Sequence, residues 1–419
     1  MPKFIITGGQ KLSGEIAVKG AKNAALKIIP AALLSAETIT INNLPNIEDI
    51  GKSFDLLIDL GAEIKHEGST AIISTKNVNK TELLPKLADK FRTSIMFVGP
   101  LLARFGEAKF PHPGGCVIGA GSRPIDLFLE GFKAFGATIE EDGHYYHVKA
   151  KKLNPINYFF STVSVTVTES LMMTASLIPG KTILQNCAME PEITALAEYL
   201  NAQGAKISGA GTPIMIIEGV EKIGAGVCDV IPDRIETGSF ALMAAATGSE
   251  IKITNCRPDH ILSLLTIFDK IGVNYEKGLD WLLIKKSKGI KAYDLKTHEY
   301  PGFPTDLQSP YVVLMTQAEG IALIHETIYD RRLIWTDMLS QMGANITTCD
   351  PHRVVVSGPT CLYGKKLISP DIRAGIALVI AALIAKGNTE IDNIYQIDRG
   401  YEQLDVRLKK LGATIDRVE

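Results

Sequence analysis

The chain carries almost no net charge. Its 44 Lys and Arg against 46 Asp and Glu leave a formal charge of -2. No global attraction to nucleic acid is expected, so any anion site must be built locally. Long hydrophobic runs are missing too. The longest, Ile376 to Ala385, falls well short of the roughly 20 residues needed to span a bilayer. Met1 to Thr7 reads as the start of a strand, with no apolar targeting region. A soluble cytoplasmic protein without a membrane partner is the expectation. Cysteine is sparse: Cys116, Cys187, Cys228, Cys256, Cys349 and Cys361. They are scattered, with no CxxC pair and no histidine at ligand spacing, which argues against a zinc site or a disulfide framework. Each except Cys116 reads as a small buried hydrophobe. No metal and no cofactor is expected. What remains is an ordinary globular composition, 46% hydrophobic and 21% charged, long enough for more than one domain.

Within it one pattern recurs six times. An Ala-rich helix is followed by a short β-branched strand, then by a second helix ending in Gly-Ala or Gly-Val. The terminal pairs are Gly61-Ala62, Gly136-Ala137, Gly204-Ala205, Gly272-Val273, Gly343-Ala344 and Gly412-Ala413, roughly 70 residues apart. In the first copy Ala24 to Leu34 is apolar nearly all round and belongs inside. Thr38 to Asn42 alternates like a half-exposed strand. Pro45 to Asp49 opens the second helix with Asn46 as its cap, and Gly61 ends it. Glu63-Ile64-Lys65 and Ala71-Ile72-Ile73 make a hairpin around Gly68. The apolar helices of the later copies are placed at Ser170–Leu177, Ser239–Ala246, Tyr311–Gln317 and Arg373–Ala385, and the last copy's second helix at Tyr401–Leu411. Apolar helices and alternating strands together predict helices inside and sheets outside. One core rarely grows beyond about 250–300 residues, so six units suggest two bodies of three with a cleft between them.

The chemistry gathers where the unit enters its helices. Free N–H groups and partial positive charge make a helix N-terminus an anion site. Cations there oppose the dipole and need a reason. Lys22, Arg92, Arg123, Arg332 and Arg399 occupy such places in different copies, which points to a ligand with phosphate or carboxylate groups. Cys116 lies in the long Gly-rich segment from Pro113 to Arg123, where other copies have a short turn. A thiol beside cations is acidified. It could act as nucleophile or as proton donor. Asp306, at the entrance of the fifth apolar helix, reads as a helix cap or as a general base facing a hydroxyl.

Gly20-Ala21-Lys22-Asn23-Ala24-Ala25-Leu26, Pro113-Gly114-Gly115-Cys116, Arg123-Pro124-Ile125-Asp126-Leu127, Pro232 to Gly238, Phe303-Pro304-Thr305-Asp306 and Ile397 to Glu402 carry a resemblance along the whole chain. The sequence resembles the UDP-N-acetylglucosamine 1-carboxyvinyltransferase family. The resemblance implies two inside-out α/β domains of three repeated units each, one spanning 22–231 and the other 1–21 with 232–419. It implies transfer of the enolpyruvyl group of phosphoenolpyruvate to the 3′-hydroxyl of UDP-N-acetylglucosamine, by addition and elimination, without metal. Carried over, Cys116 is the loop proton donor and the residue that fosfomycin alkylates. Lys22, Arg123 and Arg399 surround the phosphate and carboxylate, assisted by Arg92 and Arg332. Asp306 faces the sugar hydroxyl. Asn23, Arg123, Pro124, Ile125, Asp126, Leu127, Ser164, Val165 and Ile328 lie near the nucleotide sugar. The Cys116 loop is longer near Gly121-Ser122 than the commonest family pattern. Competing readings are an enolpyruvyl transferase acting on shikimate 3-phosphate and a non-catalytic repeat scaffold. The Pro-Gly-Gly-Cys segment disfavours the first. Joint retention of Lys22, Cys116, Asp306 and Arg399 disfavours the second.

Overall fold

The computed structural model describes residues 2–88, 92–112 and 125–419. The chain divides into two compact units. One holds the described residues of 20–231, and the other holds 2–19 and 232–419. The fold is mixed α/β throughout, and each unit has its own hydrophobic core.

Among the described residues of the unit 20–231, three sheets are built. One orders Gly226–Asp229, Thr38–Asn42, Thr70–Ser74 and Glu63–Glu67. A second orders Glu107–Pro111, Tyr145–Lys149 and Thr138–Glu141. A third orders Lys206–Ser208, Ile214–Gly219, Gly180–Gln185 and Asn157–Phe159. The helices Lys22–Ala31, Val98–Phe105 and Val165–Ala175 are buried over most of their surface. Gly99 shows how tightly they meet, since a Cβ there would lie 2.5 Å from Thr174 Oγ1.

The other unit repeats the plan with three four-stranded sheets. Its helix Arg234–Ala246 is buried at every position, as is Gln308–Met315, and Ile372–Ile384 nearly so. The three pack on one another. Its N-terminal strands pair with distant sequence: Lys3–Thr7 lies between Asn388–Asp392 and Thr414–Val418, and Ser13–Ala17 runs parallel to Glu250–Thr254. Strands such as Thr38–Asn42 and Arg353–Gly358 alternate between buried and wetter positions, which is why they read as half-exposed.

All six pattern glycines have positive φ, from +83° to +106°, as helix-ending glycines should. Other expectations need correction. Asn46 does not cap the second helix. That helix is Glu48–Leu60, its N-cap position is Ile47, and Glu48 and Asp49 fill the first turn, where acidic groups suit the dipole. The apolar helices begin earlier than their hydrophobic stretches, at Val165, Arg234 and Gln308. Polar entrance residues are helical there because caps such as Asp233 and Ser164 lie before them. Tyr401–Leu411 is not one helix. A single turn, Tyr395–Asp398, is followed by Leu404–Lys410, and Gln403 between them has φ +45°. Cys187, Cys228 and Cys256 are buried, but Cys349 and Cys361 are exposed. Among the described residues no helix is long and apolar enough to cross a membrane.

Candidate functional site

Lys22 opens the helix Lys22–Ala31, behind an N-cap residue, Ala21, that has no side-chain oxygen to offer. Gly20 makes that entry possible. A Cβ on it would lie 1.7 Å from the Asn43 carbonyl oxygen, so only glycine lets the backbones approach so closely. The cation at the positive end of the helix has its counterion. Lys22 Nζ lies 2.7 Å from Asp49 Oδ2, both side chains being buried. Asn23 follows, and its carbonyl oxygen accepts a 2.7 Å bond from Lys27 Nζ. Ser164 is the N-cap of Val165–Ala175, its hydroxyl accepting from the Val167 N–H at 3.5 Å. Arg92 starts a 3₁₀ turn, Arg92–Phe97. Ile125 is buried in the N-cap position of Asp126–Ala134, with Asp126 exposed and Leu127 half-buried. Cys116, Arg123 and Pro124 lie outside the described residues.

In the other unit the structure gathers a polar network around Asp306. The residue stands in a 3₁₀ turn, Thr305–Leu307, that leads into Gln308–Met315. Its Oδ1 accepts from Arg332 Nη2 at 2.9 Å and its Oδ2 from Arg373 Nη2 at 2.7 Å. Arg332 also donates to Thr305 Oγ1 at 2.7 Å. Thr305 donates in turn to Glu326 Oε2 at 2.8 Å. The other oxygen of Glu326 accepts from the backbone N–H groups of Ile328 and Tyr329 at 2.9 and 3.1 Å. Asp306, Arg332 and Ile328, all named by the sequence, are thus brought together through Thr305 and Glu326. Arg399 is half-buried and donates to Gln396 Oε1 at 3.1 Å. Gly400 beside it abuts Ile372, where a Cβ would lie 2.6 Å from Ile372 Cγ2. Ile372 precedes Arg373, so the Arg399 turn borders the helix that carries Arg373.

Among the described residues, two of the cations do not themselves open a helix. Arg399 caps the C-terminal end of Tyr395–Asp398. Arg332 lies in the turns before Thr336–Gln341, whose N-cap is Trp335. A break in the last copy's second helix and turns ahead of Thr336 account for both. Arg373, Thr305, Glu326 and Asp49 are missing from the sequence-derived set. Arg373 had a readable signal, its place in Asp371-Ile372-Arg373 mirroring that of the other cations. Glu326 sits at the end of a strand and had none.

Electrostatics fix the state of this network. Burial pushes the Asp306 carboxyl up, but Arg373 and Arg332 outweigh it and hold it far below the usual carboxylate range. Burial lowers both guanidiniums, and Asp306 more than reverses that. The side chain of Asp306 is 25% exposed and those of Arg332 and Arg373 are 2% and 10%. The result is an ionised, partly exposed acceptor held between two buried cations.

The family described as EPSP synthase (3-phosphoshikimate 1-carboxyvinyltransferase) matches residues 6–408. Proteins named UDP-N-acetylglucosamine 1-carboxyvinyltransferase from Desulforapulum autotrophicum and Solibacter usitatus are each 42% identical, with 100% of this chain and 100% of theirs covered. Among solved structures, the enolpyruvyl transferase NikO from Streptomyces tendae is similar with a TM-score of 0.90 at 23% identity, covering 100% of this chain and 99% of its own. An EPSP synthase from Acinetobacter baumannii gives 0.77 at 17%, with both chains fully covered. Such distant structures speak for the fold. The full-length sequence identity speaks for descent: the chain belongs to the family of EPSP synthases and UDP-N-acetylglucosamine 1-carboxyvinyltransferases.

Proposed function

We propose that this protein transfers the enolpyruvyl group of phosphoenolpyruvate to the 3′-hydroxyl of UDP-N-acetylglucosamine and releases phosphate. The observation that carries this reading is the 42% identity, end to end, with enzymes of that name. The resemblance to EPSP synthase structures is at 17%, so shikimate 3-phosphate is the weaker choice of acceptor. In this reading the two domains span 22–231 and 1–21 with 232–419. Each consists of three repeated units, helices inside and sheets outside. The product feeds peptidoglycan synthesis in the cytoplasm, and the enzyme needs neither metal, nucleic acid nor membrane.

The chemistry asks for an acid, a base and clamps for two anionic groups. A proton goes to the methylene carbon, and the hydroxyl oxygen bonds to the neighbouring carbon as it loses its own proton. The carbon–oxygen bond to phosphate then breaks, and the methyl group returns a proton. Cys116 is assigned as the acid and as the fosfomycin target. Lys22, Arg123, Arg399, Arg92 and Arg332 hold phosphate and carboxylate, and Arg373 joins them. Asn23, Pro124, Ile125, Asp126, Leu127, Ser164, Val165 and Ile328 contact the nucleotide sugar.

Asp306 is assigned as the base, and in this reading its two arginines govern when it acts. Clasped by Arg332 and Arg373, its carboxylate binds a proton poorly. An incoming anion competes for the same guanidiniums. As they turn to it, Asp306 loses its counterions and its basicity rises. The base is armed only when phosphoenolpyruvate is present.

Two measurements test the proposal. Phosphate release is followed with phosphoenolpyruvate and either acceptor. Turnover with UDP-N-acetylglucosamine is expected, and turnover with shikimate 3-phosphate alone overturns the assignment. Mass spectrometry after incubation with phosphoenolpyruvate or fosfomycin should place an adduct on Cys116. A modified chain whose adduct maps elsewhere removes that residue from its role.

A further inference from the structure

Lys27 and Glu169 form a buried contact that the reaction scheme above does not use. Both side chains are almost fully enclosed, at 6% and 0% exposure, with Lys27 Nζ 3.4 Å from Glu169 Oε2. Neither oxygen of Glu169 receives a hydrogen bond from the described residues. A carboxyl without hydrogen bonds in a packed core is costly to keep, so its place calls for an explanation.

Helical spacing supplies one. Residues four apart lie on the same face of a helix, one turn above the other. Asn23 stands four before Lys27, and Lys27 Nζ bonds the Asn23 carbonyl directly at 2.7 Å. Val165 stands four before Glu169, in the first turn behind the Ser164 cap. The contact therefore lies one turn beneath two segments assigned to the nucleotide sugar, Asn23 on one helix and Ser164-Val165 on the other. Both helices are also packed against Pro191–Ala202, which brings Glu190 and Glu192 to bear on Glu169. The backbone of that neighbour is tied in by the Ala188 N–H, which donates to Thr168 Oγ1 at 3.2 Å.

We propose that Lys27 and Glu169 are a positioning pair: their contact sets the spacing between the entrances of helices Lys22–Ala31 and Val165–Ala175 that receives the nucleotide sugar. The inference rests on the proposed activity, because it takes Asn23, Ser164 and Val165 as ligand contacts. The pair touches no reacting atom. Its loss should weaken sugar-nucleotide binding and leave the chemical step nearly intact.

The decisive variant removes both partners, Lys27→Met with Glu169→Met. Replacing a whole buried pair with apolar side chains of similar volume usually preserves stability, and unbranched Met fills such gaps. The double variant should melt no lower than the wild type. Its KM for UDP-N-acetylglucosamine, and the Kd from calorimetry, should rise on the order of tenfold, with kcat within about twofold. If the double variant does not fold, Lys27→Met alone serves, since burial already favours the protonated Glu169 carboxyl and loss of the cation favours it further. That variant should show the same rise, and Lys27→Arg should recover most of the affinity. Unchanged KM and Kd in a folded variant overturn the proposal. A wild-type protein that neither binds nor turns over UDP-N-acetylglucosamine overturns the functional reading instead.

Discussion

Asp306 lies between opposing influences, and its substitution separates them. Asp306→Asn keeps the shape and one acceptor for the arginines but cannot take a proton. We expect kcat to fall by about 10²–10⁴-fold while the circular dichroism of the folded protein is unchanged. A variant that retains full kcat would show that the carboxylate is only a tether for Arg332 and Arg373. The arming of the base also predicts a pH signature. An acid limb from Asp306 should be absent from kcat/KM for phosphoenolpyruvate, which reports the enzyme before that anion binds, and present in kcat. No Asp306 limb in either profile would argue that the guanidiniums never let go, and the same limb in both would argue that they do not depress the carboxyl in the free enzyme. Glu169 shifts the other way. Burial, against the pull of Lys27 and with Glu192 and Glu190 adding to it, pushes its carboxyl up to about 8. The folded protein then holds a proton there that the unfolded chain has released above the ordinary value of 4.5. Its contribution to stability is full below that value and is lost as pH rises through about 8. Urea unfolding at pH 5 and pH 9 should therefore show a larger drop for the wild type than for Glu169→Gln. Equal drops would mean that the carboxyl is not shifted. Residues such as Lys22 and Arg332 could be picked from the sequence because a cation at an expected helix entrance opposes the dipole, and Asp306 because its motif carries the family resemblance. Glu326 and Asp49 could not, because what makes them matter is a partner distant in the chain.

At the scale of the element, the repeats carry a second signature beside the glycines. Asn43, Asn186, Asn255 and Asn393 each follow a strand with φ between +50° and +60°. Each sends its side-chain amide to a backbone carbonyl: Val230, Phe160, Val18 and Ser369, at 2.7 to 2.9 Å. Asparagine tolerates the left-handed region and its amide ties a neighbouring strand end. Removing both features should cost more than removing one. Asn186→Ala is expected to lower stability by about 2 kcal/mol and Asn186→Gly by about 1 kcal/mol, measured by denaturant unfolding. Equal losses would show that backbone conformation contributes nothing there. Neither asparagine nor its partner is conspicuous in the sequence, since the bond closes across 26 residues for Asn186 and 237 for Asn255. The glycines are legible because each ends its own helix, a local event. Boundaries were harder for the same reason. Hydrophobic runs mark where a helix is enclosed, whereas Val165, Arg234 and Gln308 start helices with residues whose burial depends on packing from elsewhere.

Two compact units with separate cores should not melt as one. Calorimetry of the whole chain is expected to give a measured unfolding enthalpy larger than the van't Hoff value. A ratio of one would mean that the cores unfold together. The path of the chain through the units has a consequence for synthesis. The unit of 20–231 is continuous and can close once its last strand leaves the ribosome. The strand Lys3–Thr7 has no such option, because both its neighbours, Asn388–Asp392 and Thr414–Val418, are made last. At about 5–20 residues per second, the first strand translated waits on the order of half a minute for partners. Until then its edges are open to any other extended segment, including that of a neighbouring nascent copy. A message cut short before codon 388 would leave that hazard permanent, so truncated products should be found in aggregates.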